Sequence, residues 1–132
     1  MIIRRAEPSD LPQIVQIEGL CFPEDAAFPP GMFSYLIRYA VSLVACLPEG
    51  KVVGFVMGYA SGRAGAVYTL DVHPDYRRMG IGSRLIMALE EMLAAQGVQH
   101  VVLVGTDRCV VALHDRIAGG GPVWHVQRGV AP

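Results

Sequence analysis

The chain carries little charge and no surplus of either sign. Charged residues make up 17% of its 132 residues and the formal net charge is -1, which argues against a general nucleic-acid binder, whose affinity rests on a broad excess of Lys and Arg. Its three cysteines, Cys21, Cys46 and Cys109, are odd in number and far apart, with no C-x-x-C pair. They read as buried, reduced thiols of a cytoplasmic protein and not as a disulfide framework. His73, His100 and His125 have no spacing that suggests a metal site. No apolar run approaches the roughly 18 residues of a membrane span. The start, Met1 to Arg5, leads into an acidic, proline-bearing segment and lacks the apolar core of a signal peptide. The expectation is a cytoplasmic protein with no membrane partner. Tryptophan occurs once, at Trp124, where packing and binding are both open.

What the chain does have is apolar mass. Hydrophobic residues make up 52%, enough for a folded domain, and the length suits a single domain over residues 1–132. Ile2 to Arg5 suits a first strand. Ser9, Asp10 and Pro12 then mark a helix start, and Leu11, Ile14, Val15 and Glu18, with Ile17, Leu20 and Cys21 on a neighbouring line, predict a helix from about Asp10 to Leu20 packed by its aliphatic side. Cys21 to Gly31 holds three prolines and predicts a loop. Phe22 and Phe28 can form a binding lip there or pack beneath it. Met32, Tyr35, Leu36 and Tyr39 share a face of a short second helix. Val41 to Leu47, Val52 to Tyr59 and Ala66 to Val72 are β-rich and joined by Pro48 to Lys51 and Ser61 to Gly65, which makes an antiparallel meander. From Gly80 the period becomes helical, with Ile81, Leu85, Ala88, Leu89, Met92 and Leu93 on one side and Arg84, Glu90, Glu91 and Gln96 on the other. Gly97 ends that helix. His100 to Val104 then reads as a buried strand parallel to the third of the meander, connected by a right-handed crossover. Val110 to Ile117 suits a last helix and Val123 to Gln127 one further strand. The fold class is therefore α/β (α+β), with a mixed, mostly antiparallel sheet and a central parallel pair.

The chemistry concentrates in one stretch, Val67 to Ile86: a strand, a proline turn, a basic loop with two glycines, and a helix start. The first amides of a helix have no intrahelical partner, and the dipole makes that end positive. Gly80 and Gly82 let another molecule approach the backbone, and Arg77 and Arg78 add charge. Such a loop is fit to hold a pyrophosphate. It has neither the Lys-Ser/Thr of a P-loop nor a G-x-G-x-x-G fingerprint.

The longer string Leu70-Asp71-Val72-His73-Pro74-Asp75-Tyr76-Arg77-Arg78-Met79-Gly80-Ile81-Gly82-Ser83-Arg84-Leu85 closely resembles the acetyl-coenzyme A signature of the GNAT superfamily of N-acetyltransferases, Arg/Gln-x-x-Gly-x-Gly/Ala. The order of elements over about the first 105 residues is similar to that family's order. Ile17-Glu18 to Phe22-Pro23 resembles the ribosomal-protein alanine and protein N-terminal acetyltransferases. The resemblance implies a GNAT fold whose central parallel strands splay. It implies acetyl-CoA as acetyl donor and direct transfer to a primary amine, a small molecule or a protein N-terminus. It further implies that the backbone of Leu70, Asp71 and Val72 pairs with the pantetheine arm. The backbone from Arg77 and Arg78 through Met79, Gly80, Ile81 and Gly82 to Ser83 would wrap the pyrophosphate.

The acceptor half is less clearly written. A protonated amine must lose a proton before it attacks a thioester, so a base is needed, and an acid for the leaving thiolate. The family's carboxylate place falls at about Val102, which cannot titrate. Its tyrosine place falls at His114, where an imidazolium could serve as the acid or the side chain could have no role. Asp71, on the signature strand, is the candidate base, with Glu18 and Glu24 behind it. Asp107 stands where the family often has asparagine. After the last helix, Gly119-Gly120-Gly121-Pro122 leads into one strand where the family has two. A sheet left short exposes an edge, and pairing in a homodimer is one remedy. With the acceptor half so altered, a coenzyme A binding module with weak turnover is the alternative.

Overall fold

A computed structural model of the chain describes residues 1–105 and 123–128, with side chains for residues 1–101. Strand β1 spans Ile2–Arg5, helix α1 Leu11–Cys21 and helix α2 Pro30–Tyr39; β2 follows at Val41–Cys46, β3 at Val52–Ser61 and β4 at Ala64–Val72. Helix α3 runs over Ile81–Ala95, then β5 over His100–Gly105 and β6 over Val123–Arg128. Together the strands make a six-stranded sheet in sequence order. The first four are antiparallel neighbours. β4 pairs β5 in parallel, and β5 pairs β6 in parallel. The sheet is therefore mixed, as expected, with the parallel pair inside it. The final strand's parallel direction was not legible in its five apolar and polar residues.

Each face of the sheet carries its own core. On one, Val41, Leu43, Val56, Val67 and Leu70 meet Ile81, Leu85, Ile86, Leu89 and Leu93 of α3. On the other, Val44, Phe55 and Met57 meet Ile14 and Ile17 of α1 and Phe33 and Leu36 of α2. Every residue of β2 is buried, because that strand is covered from both sides, and a strand covered on both faces loses the apolar-polar alternation. Phe33 sits edge-on to Phe55 at 5.5 Å between ring centroids, and Phe28 edge-on to Phe33 at 6.1 Å. Aromatic pairs favour such tilted contacts. Phe28 thus packs beneath the loop that leads into α2.

Several periodic assignments shift. Helix α2 begins at Pro30, with proline in its first turn where a missing N-H is harmless. Its buried residues are Phe33 and Leu36, while Tyr35 and Tyr39 point outward. Leu20 is exposed, and Glu18 on the same helix is buried. Glu90 does not belong to the solvated face of α3; it is 1% exposed. β3 and β4 extend to a tight turn at Gly62 and Arg63, and Gly62 takes a left-handed φ of +61°. Around the N-terminus, the Arg4 guanidinium grips Asp10 through two bonds of 2.8 Å, and the Glu7 amide donates to the same carboxylate at 2.7 Å.

Candidate active site

The site is made by an irregularity in β4. Met57 of β3 pairs Thr69, but the next residue, Gly58, pairs Val67, so Tyr68 is an extra residue. A bulge of this kind bends and twists the strand. It explains why Val67 and Leu70, three apart, both lie on the α3 side. It also coincides with the end of the parallel ladder: β4 and β5 pair from Ala64 with His100 to Val67 with Leu103. Beyond that point β4 continues to Val72 against β3, and β5 to Gly105 against β6. Where a parallel pair stops while both strands go on, a crevice opens between them.

At the end of β4 the chain turns tightly. The His73 amide donates to Val53 at 2.8 Å, the His73 Nδ1 accepts the Asp75 amide at 3.1 Å, and a single 3-10 turn covers Pro74–Tyr76. The Lys51 ammonium lies 5.1 Å from the centre of the Tyr76 ring. The following loop is exposed and holds two left-handed residues, Arg78 at φ +64° and Gly80 at +79°. Left-handed backbone is unusual for arginine, and such conformations gather at binding sites. The first helical bond of α3 runs from the Arg84 amide to the Gly80 carbonyl, 3.1 Å. The amides of Ile81, Gly82 and Ser83 precede it and are not used within the helix. A Cβ on Gly80 would meet nothing within 4 Å, and one on Gly82 would only touch Val72 at 3.6 Å and Leu70 at 3.9 Å. At Gly80 the glycine serves conformation; at Gly82 it keeps the mouth of the crevice low.

Arg77 does something the sequence did not suggest. Its Nε donates to the Val72 carbonyl at 3.1 Å and its outer nitrogen approaches the Cys21 sulfur at 3.2 Å. The Cys21 thiol itself lies 3.4 Å from the same carbonyl. The last residue of α1, the last of β4 and the first of the basic loop are thereby tied together. Burial pushes the Cys21 thiol up, Asp71 adds to this, and the Arg77 guanidinium opposes it. Cys21 had been read only as a core thiol; nothing in its spacing places it at the strand end.

Asp71 is 3% exposed, and its Oδ1 accepts the Thr69 hydroxyl at 3.0 Å. Glu18 uses Oε2 to accept the Phe28 amide at 2.7 Å, so it fixes the loop between α1 and α2. Glu24 lies on that loop, exposed. Leu70 and Val72 end β4, and Arg78, Met79 and Ser83 are exposed at the loop and helix start. The structure thus brings Leu70 to Ser83 to one end of the sheet. His114 and Asp107 lie outside the described residues. Among the described residues no group of three His, Cys, Asp or Glu could hold a metal ion.

A strand edge freed beside a bulge, next to an exposed loop and the unused amides of a helix start, is an arrangement suited to an extended, anionic ligand. Residues 11–119 match the model of the acetyltransferase (GNAT) family, and the chain belongs to that family. It is 41% identical over 70 residues to acetyltransferase SG1711 of Sodalis glossinidius, a match covering 52% of this chain and 49% of that one. The chain spans about half the length of the curated relatives it matches. Among solved structures, Rv2747 of Mycobacterium tuberculosis in complex with CoA and NLQ is 25% identical with a TM-score of 0.68, covering 76% of this chain and 62% of that one. The ribosomal-protein-S18-alanine N-acetyltransferase of Escherichia coli shares the fold, with a TM-score of 0.65 at 23% identity over 74% of this chain and 62% of that one. No helix among the described residues is long and apolar enough to cross a membrane.

Proposed function

We propose that this chain is one acetyltransferase domain that binds acetyl-CoA in the crevice beyond Val67 and passes the acetyl group directly to a primary amine, of a small molecule or of a protein N-terminus. The observation that carries this reading is the joint geometry of the interrupted β4–β5 ladder and the exposed Arg77 to Gly80 loop that opens α3. Acetyl-CoA supplies a thioester whose acyl carbon exchanges its bond to sulfur for one to the amine nitrogen, while the nitrogen loses a proton and the thiolate gains one.

The chain's own residues divide that work. The backbone of Met79, Gly80, Ile81, Gly82 and Ser83 holds the pyrophosphate, in the field of the α3 dipole. The backbone of Leu70, Asp71 and Val72 aligns the pantetheine arm, and a fixed amide there polarises the carbonyl, a contribution commonly worth ~3 kcal/mol. Arg77 braces the strand end through Val72. Asp71 is the proposed base and His114 the proposed acid. The raised pKa of Cys21 keeps it a thiol near neutral pH, which favours direct transfer over a route through a cysteinyl thioester.

The test is release of free thiol from acetyl-CoA in the presence of a pooled set of amines. Amine-dependent release that Gly82→Asp abolishes is the expected result, because the new carboxylate faces the pyrophosphate. Binding of acetyl-CoA with no release for any amine would mark the chain as a coenzyme A binding module instead. Unchanged cofactor binding by Gly82→Asp would overturn both readings.

A further inference from the structure

The face of β4 that carries Asp71 and packs toward α1 and α2 also carries a group of tyrosines that the acetyl-transfer reading leaves unused. Tyr59 of β3 and the bulge residue Tyr68 stack at 5.0 Å between centroids with their planes 32° apart. Tyr59 is 40% exposed and Tyr35 of α2 62% exposed. Tyr68 is half-buried against the α1 and α2 core. Its phenol is pushed up to about 12, first by burial, then by the Tyr59 hydroxyl and, more weakly, by that of Tyr35. Rings from β3 and β4 therefore meet on this face, while Tyr35 of α2 stacks with Tyr39 at 4.9 Å between centroids. Asp71 lies three positions beyond Tyr68 along the strand, about 10 Å of rise.

The charges on the neighbouring elements are of both signs, with Asp71 on the same strand face and arginines on α2 and the β3–β4 turn. Helix α2 carries no acidic residue in its first turn and has Arg38 in its last, 5.7 Å from the centre of the Tyr39 ring. The turn beyond Tyr59 carries Arg63. The exposed ring face of Tyr59 is suited to a neutral π-system.

We infer that Tyr59 and Tyr68 form the acceptor's specificity seat, and that it selects a primary amine bearing an aromatic ring. The inference rests on the acetyl-transfer reading for the amine itself, but its ring contact is measurable without turnover. Two sources share this chemistry: a free arylalkylamine and a peptide that begins with an aromatic residue. The stack on Tyr59 supplies the affinity, and the bulge that ends the β4–β5 ladder is what turns Tyr68 to this face.

Ligand-observed saturation-transfer NMR tests it, with phenethylamine, the tripeptide Phe-Ala-Ala, butylamine and Ala-Ala-Ala, each with and without acetyl-CoA. Ring protons of the aromatic amine or peptide receive saturation, and the alkyl counterparts receive little. Which of the two aromatic probes binds more tightly identifies the source. Tyr59→Ala weakens the aromatic probe about tenfold, the size of one lost ring stack, while Tyr59→Phe retains it because the ring and not the hydroxyl makes the contact. Equal transfer to aromatic and alkyl probes, or an aromatic signal unchanged in Tyr59→Ala, overturns the seat. Failure of acetyl-CoA to stabilise the protein would overturn the acetyl-transfer reading alone, since the ring contact is read separately.

Discussion

At the scale of single residues, the polar groups that matter most are those whose partners fix a turn. Arg4 and Asp10 are the clearest case. The Asp10 carboxylate is held below the usual range by the Arg4 hydrogen bonds, with help from the Glu7 amide and against the effect of burial. A carboxyl whose folded pKa is depressed contributes stability that is complete above its unfolded value near 3.8 and is lost as pH falls through the folded value. Asp10→Asn should therefore cost about 2 kcal/mol at pH 7, discounted because Arg4 is a third exposed. The cost should shrink progressively below about pH 4, where the wild type loses the same interaction. Urea unfolding at pH 7 and pH 3 measures it; an equal cost at both would contradict the assignment. Glu18 shows a related logic, since its carboxylate accepts a backbone amide ten residues on. That contact explains why an acidic residue sits inside an apolar helix line.

At the scale of elements, the β4 bulge governs the rest. It sits opposite Gly58, where a Cβ would run into the Ala66 carbonyl and crowd Leu89 of α3. Glycine is needed there because two strands and a helix meet too closely for any side chain. Gly58→Ala should destabilise by about 1–3 kcal/mol. It should also weaken acetyl-CoA binding, because relief of the clash has to move β4 at the point where its ladder with β5 ends. A thermal melt with and without acetyl-CoA separates the two effects. A loss of stability with undiminished acetyl-CoA stabilisation would mean that the bulge does not set the crevice. Nothing in the sequence singles out Gly58 from Gly54, the other glycine of β3. The strand period, the turn at Pro48 to Lys51 and the helix after Gly80 were all legible, since each depends on neighbours within a few positions. The bulge was not, because it is a relation between strands.

At the scale of the whole molecule, two cores share one sheet, and the proposed ligand site lies where the β4–β5 ladder ends. A ligand that bridges β4 and α3 binds only the folded form, so it must raise stability by mass action. At a concentration one hundred times its Kd, acetyl-CoA should add about 2.7 kcal/mol, a rise of roughly 10 °C in Tm for a domain of this size. Differential scanning fluorimetry across a concentration series checks it, and a Tm independent of acetyl-CoA would contradict the binding site. The sequence by itself determined the elements of the proposed donor half: the basic loop from Arg77 to Gly80 and the α3 period that follows it. Anion capture by consecutive backbone amides, as proposed there, leaves a local signal. Only the tertiary structure decided what surrounds it. Cys21 reaches the Val72 carbonyl across 51 positions and Arg77 reaches Cys21 across 56. Glu18 and Glu90 are buried against their type, and Tyr59 and Tyr68 meet from two strands. Those relations depend on how helices dock on a sheet with one residue too many in a strand, and no local pattern of residues carries that information.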